Sequence, residues 1–158
     1  MMLARGLAAA AAVVIIDQLS KAAVLGFFAG SPPGAQKAAA PFFNLVLTYN
    51  RGISFGFFNA PGGINVLLFT LLAAVVVTML ILWLRRVENP FLAVAIGLVI
   101  GGAVGNVIDR VRLGAVVDFL DFYVGGWHWP AFNAADSAIC LGVAAMLLDG
   151  LLLRREAH

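Results

Sequence analysis

Charge is what this chain has least of. Lys, Arg, Asp and Glu together make up 11% of its 158 residues, about half the ~25% of a soluble domain. A soluble core of single-domain size cannot hide a chain that is 63% hydrophobic, so much of its solvent must be lipid. The net charge is only +2, and basic runs with interleaved aromatics are missing. Nucleic acid is therefore not an expected partner. The single cysteine, Cys140, excludes an internal disulfide. CxxC, HExxH, GxGxxG and P-loop spacings are missing too, so no metal or other cofactor is expected.

What is there, instead, is four long apolar segments, at residues 6–28, 64–84, 91–108 and 137–153. Each is near the ~20 residues that a helix needs to cross a bilayer. Helix is the expected form, because lipid offers the backbone no hydrogen-bond partners. Residues 1–158 are read as a single polytopic membrane domain, all-α, with four transmembrane helices. Arg5 precedes the first span, Arg85 and Arg86 follow the second, and Arg154 and Arg155 follow the fourth. An even number of spans places these five on one side, which the positive-inside rule makes the cytoplasm. Lys37, Arg51, Arg110 and Arg112 fall on the other side. Both termini are thus expected inside, with loops 29–63 and 109–136 outside. The first segment is read as a retained span, since Asp17 and Lys21 interrupt the apolar run of a cleavable signal peptide.

The outer loops carry strand signals. Gly30-Ser31-Pro32-Pro33-Gly34 is a break. Residues 42–49 are rich in aromatic and β-branched side chains and read as a strand. Asn50-Arg51-Gly52 is a turn, and residues 53–58 read as a second strand or a short amphipathic helix on the membrane. Residues 115–124 look extended, Gly125-Gly126 turns, and Trp127-His128-Trp129 returns. These pieces predict a small extracytoplasmic β-sheet on the outer face, its aromatics at headgroup level.

Four of the eight acidic residues, Asp109, Asp118, Asp121 and Asp136, fall in one stretch between apolar segments. Asp118 and Asp136 are the sharpest candidates for chemistry. Two carboxylates brought to ~3 Å cannot both ionise, so one keeps a proton while the other acts as a base. Such a pair can activate water and protonate a leaving amine. Asp118 and Asp121 point to opposite faces of a strand and do not pair with each other. Asn133 is placed to cap the fourth helix, whose N-terminus favours negative charge. Asp109 and Arg110 stand where the third span leaves the membrane and read as a local interfacial pair. The Arg110 guanidinium is also suited to a phosphate or a substrate carbonyl.

Within the spans, Asp17 and Lys21 are four apart and share a helical face. They form either a structural ion pair or a proton relay and support for a site. Gly97, Gly101 and Gly105, with Gly102 beside them, form a stripe for close helix packing. Asn106 ends that stripe, and its amide either caps the helix exit or orients a carboxylate. His128 reads as an interfacial side chain, Cys140 as packing, and Asp149 as reaching toward Arg154 or water. On these residues alone, a peptidase with its acids at the outer interface competes with two other classes. One is a small carrier using Asp17 and Lys21 near the midplane. The other is an assembly subunit using the glycine stripe.

Four blocks tip that balance. Asp17-Gln18-Leu19-Ser20-Lys21, Asn44-Leu45-Val46-Leu47-Thr48-Tyr49-Asn50-Arg51-Gly52, Gly105-Asn106-Val107-Ile108-Asp109-Arg110 with Gly114-Ala115-Val116-Val117-Asp118-Phe119, and Trp129-Pro130-Ala131-Phe132-Asn133-Ala134-Ala135-Asp136-Ser137 occur in that order. Together they resemble bacterial lipoprotein signal peptidase, or signal peptidase II. The resemblance implies a monomeric aspartic endopeptidase of the bacterial inner membrane, with Asp118 and Asp136 as its catalytic pair. Asn106, Arg110 and Asn133 match positions that orient the pair or the substrate. Asn50, Asp17 and Lys21 match positions of support or substrate contact. The implied substrate is a diacylglyceryl prolipoprotein, met among membrane lipids and cut just before its lipidated cysteine. The implied inhibitors are cyclic peptides such as globomycin.

Overall fold

The structure, a computed structural model, describes the backbone of residues 1–52 and 63–156 and the side chains of 1–52 and 66–151. Four long helices are present: α1 (Met2–Phe27), α2 (Gly63–Leu84), α3 (Pro90–Leu113) and α4 (Ala134–Glu156). All four are long and apolar enough to cross a membrane. The expected spans are all found, at somewhat greater length. Leu67, Leu68, Leu71, Leu72, Val75, Met79 and Leu82 of α2 are exposed. A helix with that much bare leucine and valine is at home against acyl chains, not water.

Helix α3 is the centre of the bundle and packs against each of the other three. Its glycines explain how. A Cβ on Gly97 or Gly101 would strike the α1 carbonyls of Gly6 or Ala10, and one on Gly102 would strike the Ala135 carbonyl of α4. The stripe therefore works as read: missing side chains bring three backbones together. Around it Ala10, Leu84, Ala93, Ile96 and Ile100 form an apolar core.

Both ends of α3 are written in the sequence. Asn89 caps the start, its side chain accepting from the Phe91 N–H at 2.9 Å, with Pro90 at the first helical position. Gly114 ends it in the left-handed region, at φ 69°, where a Cβ is disfavoured. This end lies well past the expected boundary at 108. Asp109 and Arg110 therefore sit on the last turns of a helix instead of opening a loop.

Four strands form one antiparallel sheet in the order β1–β2–β3–β4, with β1 (Gln36–Ala40), β2 (Phe43–Asn50), β3 (Val116–Val124) and β4 (Trp127–His128). Strands β2, β3 and β4 match the sequence reading. Strand β1 was not expected; its Gln-Lys-Ala-Ala-Ala sequence lacks β-branched residues, and pairing with β2 alone makes it a strand. Residues 53–58 lie outside the described residues. Val24 and Phe28 at the end of α1 pack with Leu47, Val117 and Phe119 of β2 and β3. That cluster seats the sheet against one end of the bundle.

Candidate active site

Where the sheet meets the bundle, β3 delivers Asp118 and the first turn of α4 delivers Asp136. The link is Asn133. Its Oδ1 accepts from the Asp136 N–H at 2.9 Å, and the Asp136 carboxylate reaches back to the Asn133 N–H at 3.3 Å. This is a reciprocal cap at the helix start, as the sequence suggested, with aspartate in the place usually held by glutamate. The other end of the same amide serves Asp118: Asn133 Nδ2 donates to Asp118 Oδ1 at 2.7 Å. Asn133 is fully buried, so one rigid side chain positions both carboxylates.

Two more carboxamides complete the arrangement. Asn50, at the end of β2, donates to Asp118 Oδ2 at 3.1 Å, while its Oδ1 accepts from the Gly52 N–H. Asn106 of α3 donates to Asp136 Oδ1 at 2.8 Å. Among the described residues, neither Asp118 nor Asp136 forms an ion pair. Burial pushes the Asp118 carboxyl up to about 7, and the Asp136 charge adds to this. The amides of Asn50 and Asn133, and then the Lys21 charge, pull it back down. A carboxyl so placed holds a proton near neutrality, and the α4 N-terminus beside it favours negative charge on its neighbour.

Arg110 lies beside this site without closing on it. It donates to the Asn106 carbonyl at 3.3 Å and stacks over the Phe69 ring of α2 at 5.4 Å. A cavity of about 170 Å³ is lined by Asn50, Gly52, Phe69, Asn106, Arg110, Val116 and Asp136. A second, of about 330 Å³, also borders Asp136 and runs along Trp129–Phe132, Ser137 and Cys140.

A separate charged cluster lies deeper. Lys21, Asp17 and Asp109 are all buried. Lys21 pairs with Asp17 and Asp109, each at 2.8 Å, and donates to Asn106 Oδ1 at 3.2 Å. Asp17 also accepts from the Ala135 N–H of α4, and Asp109 from the Val117 N–H of β3. The interfacial Asp109–Arg110 pairing is thus corrected. Adjacent residues on a helix point about 100° apart, which turns Asp109 inward to Lys21 and Arg110 toward the cavity. Gln18 clasps Asp17 and Asp109 together, at 3.1 and 3.0 Å; nothing in its spacing announced that role.

Of the remaining readings, that of Cys140 changes, while Asp121 and Asp149 gain partners. Asp121 and His128 form a pair of their own at 2.9 Å, supported by Asn44 and by Tyr123 stacked on the imidazole. They lie apart from Asp118, as opposite faces of a strand require. Cys140 is exposed, not packed. Asp149 accepts from Asn89, tying α4 to the start of α3; the Arg154 side chain expected near it lies outside the described residues.

Fold and site together define a multi-pass membrane protein with one buried and one half-buried carboxylate, Asp118 and Asp136, held by carboxamides at one end of its bundle. The chain belongs to the signal peptidase (SPase) II family, whose signature matches residues 9–152. It is 48% identical to a lipoprotein signal peptidase of Paraburkholderia phymatum, over 99% of this chain and 93% of that one. A lipoprotein signal peptidase of Burkholderia mallei is also 48% identical, over 92% and 87%. Among solved structures, a bacterial membrane enzyme determined by the in meso method at 2.3 Å superposes with a TM-score of 0.79 at 32% identity, covering 92% of this chain and 87% of the other. A related structure at 1.9 Å gives the same score and identity, covering 92% of each chain. The protein is a membrane protease.

Proposed function

We propose that this protein removes signal peptides from lipoprotein precursors by hydrolysing the bond just before a diacylglyceryl-modified cysteine, with water activated between Asp118 and Asp136. The observation that carries the reading is Asn133, which holds both carboxylates while no cation neutralises either among the described residues. Asp136, ionised at the α4 N-terminus, takes a proton from water as the water oxygen attacks the scissile carbonyl carbon. Asp118 supplies its proton to the carbonyl oxygen. Collapse of the tetrahedral intermediate breaks the C–N bond, and the departing nitrogen takes the proton held on Asp136. The hydroxyl proton returns to Asp118. The products are a new carboxyl on the signal peptide and a free amino group on the lipidated cysteine.

The remaining groups take supporting roles. Asn106 and Asn50 orient the pair, and Arg110 receives a carbonyl or phosphate oxygen of the bound substrate. The extended precursor adds main-chain hydrogen bonds to the sheet. In this reading residues 1–158 act as one monomeric domain in the bacterial inner membrane. Both termini are cytoplasmic, and the sheet and site lie at the outer leaflet, where a lipid-anchored substrate arrives sideways. Cyclic peptides such as globomycin then compete for the same cleft.

The test is cleavage of a diacylglyceryl-modified precursor by purified protein, with Asp118→Asn and Asp136→Asn beside wild type. Loss of product in each folded variant supports the pair. Full activity in either removes that residue from the mechanism.

A further inference from the structure

Lys21 touches neither Asp118 nor Asp136, yet it contacts the amide that holds one of them. An ammonium group has three N–H donors and no acceptor. Here all three have partners: Asp17 Oδ2, Asp109 Oδ2 and Asn106 Oδ1. At 2% exposure the lysine has no room for water to substitute. A carboxamide's oxygen and nitrogen ends have nearly the same shape, so only partners tell them apart. Two donors, Lys21 Nζ at 3.2 Å and Asn133 Nδ2 at 3.3 Å, face one end of Asn106. That end must be oxygen. The NH₂ end is then forced outward, where it meets Asp136 Oδ1 at 2.8 Å.

We infer that Lys21 is a positioning residue that locks the Asn106 carboxamide with its donor toward Asp136, so that the buried ion cluster sets which way the site's amide points. The inference rests on the peptidase reading for its consequence in turnover, but not for the orientation itself. Reversing the amide would set NH₂ against an ammonium and a second NH₂, and oxygen against a carboxylate. Every contact of the side chain would turn repulsive at once.

Removing Lys21 alone strands two buried carboxylates and threatens folding. The better probe is the charge-balanced Lys21→Met/Asp109→Asn protein, in which the cluster keeps a net charge of −1. With the orienting cation gone, kcat on a lipidated precursor should fall at least about tenfold, with KM within about threefold. Infrared titration of the protonated carboxyl band, assigned by its loss in Asp118→Asn, needs no substrate. Because the cluster's net charge is unchanged, losing the ordered donor at Asp136 should by itself move the titration of the coupled pair upward by about one pH unit. Wild-type kcat and an unshifted band in the folded double variant would overturn the inference.

If that variant does not fold, Asn106→Asp and Asn106→Ala decide. With Lys21 holding one oxygen, Asn106→Asp aims the other at Asp136 and should lose more activity than Asn106→Ala, which only lacks a donor. Equal losses would overturn the inference. If wild type does not cleave the lipidated precursor, the peptidase reading fails. The infrared comparison of wild type with the double variant, or with the Asn106 variants, then decides the orientation by itself.

Discussion

This protein gathers two pairs of carboxylates at the same end of its bundle, three of the four buried and Asp136 half-buried, and treats the pairs oppositely. Asp17 and Asp109 share a lysine, at 2.8 Å to each. Among the described residues, Asp118 and Asp136 are held by carboxamides and one backbone N–H, with no cation bonded to either. A buried charge is tolerated when a counter-charge and hydrogen bonds replace water. The first pair meets that condition, which makes it a tie between α1, α3, α4 and β3. Among the described residues the second pair has no bonded counter-charge, so its cheapest state keeps a proton. The same residue type is structural in one place and chemically poised in the other, and a single ammonium group makes the difference. Asn106 is where the two meet, with its oxygen toward Lys21 and its nitrogen toward Asp136.

Experiments can sharpen or break that contrast. The largest effect is expected at the pair without a cation. Asp118→Asn and Asp136→Asn should each lower kcat by about 10³ or more, at the upper end of what a lost acid or base contributes. Their melting temperatures in detergent should stay near wild type, because the amide keeps the shape.

The cation-sharing pair should show the reverse order. Lys21→Met should destabilise the fold by about 3–5 kcal/mol, the cost of leaving buried charge uncompensated. Asp17→Asn should cost less, since one carboxylate still neutralises the lysine. Denaturant unfolding in detergent ranks the two, and a larger loss in Asp17→Asn would contradict the charge argument.

The pH dependence should belong to Asp118. Its carboxyl is raised from 3.8 to about 7, so across that window the native protein holds a proton that the unfolded chain releases. Its contribution to stability is therefore full below 3.8 and is lost as the pH rises through about 7. Asp118→Asn should flatten that slope. Cleavage should decline above about pH 7 as the general acid is lost. A rate that keeps rising with pH would reverse the assigned roles.

The smallest effect should come from His128→Gln. That imidazole is about half exposed, at 48%, and its bond to Asp121 is the kind that contributes about 1 kcal/mol or less. Cleavage within threefold of wild type is expected; a collapse would mean that the β3–β4 hairpin governs the site.

Much of this contrast could be read without coordinates. Four apolar runs define four helices because lipid leaves the backbone no other way to bond. The small residues at 97, 101, 102 and 105 mark a contact surface because only a missing Cβ lets backbones meet. Asn133 three residues before Asp136 marks a helix start because that spacing brings the side chain to an orphan N–H. Local chemistry suffices for each. The partner of Asp109 is another matter. Arg110 is its neighbour in sequence, whereas Lys21 is 88 positions away, and the choice depends on how far α3 continues before Gly114 stops it. The role of Gln18 has the same character, since the Asp109 carboxylate it holds comes from a different helix 91 positions away and no local pattern encodes the contact. The sequence by itself determined the spans, the caps and the residue types available for chemistry, through rules that act within a few residues. Which carboxylates receive the lysine and which must share a proton was decided only when α1, α3, β3 and α4 converged.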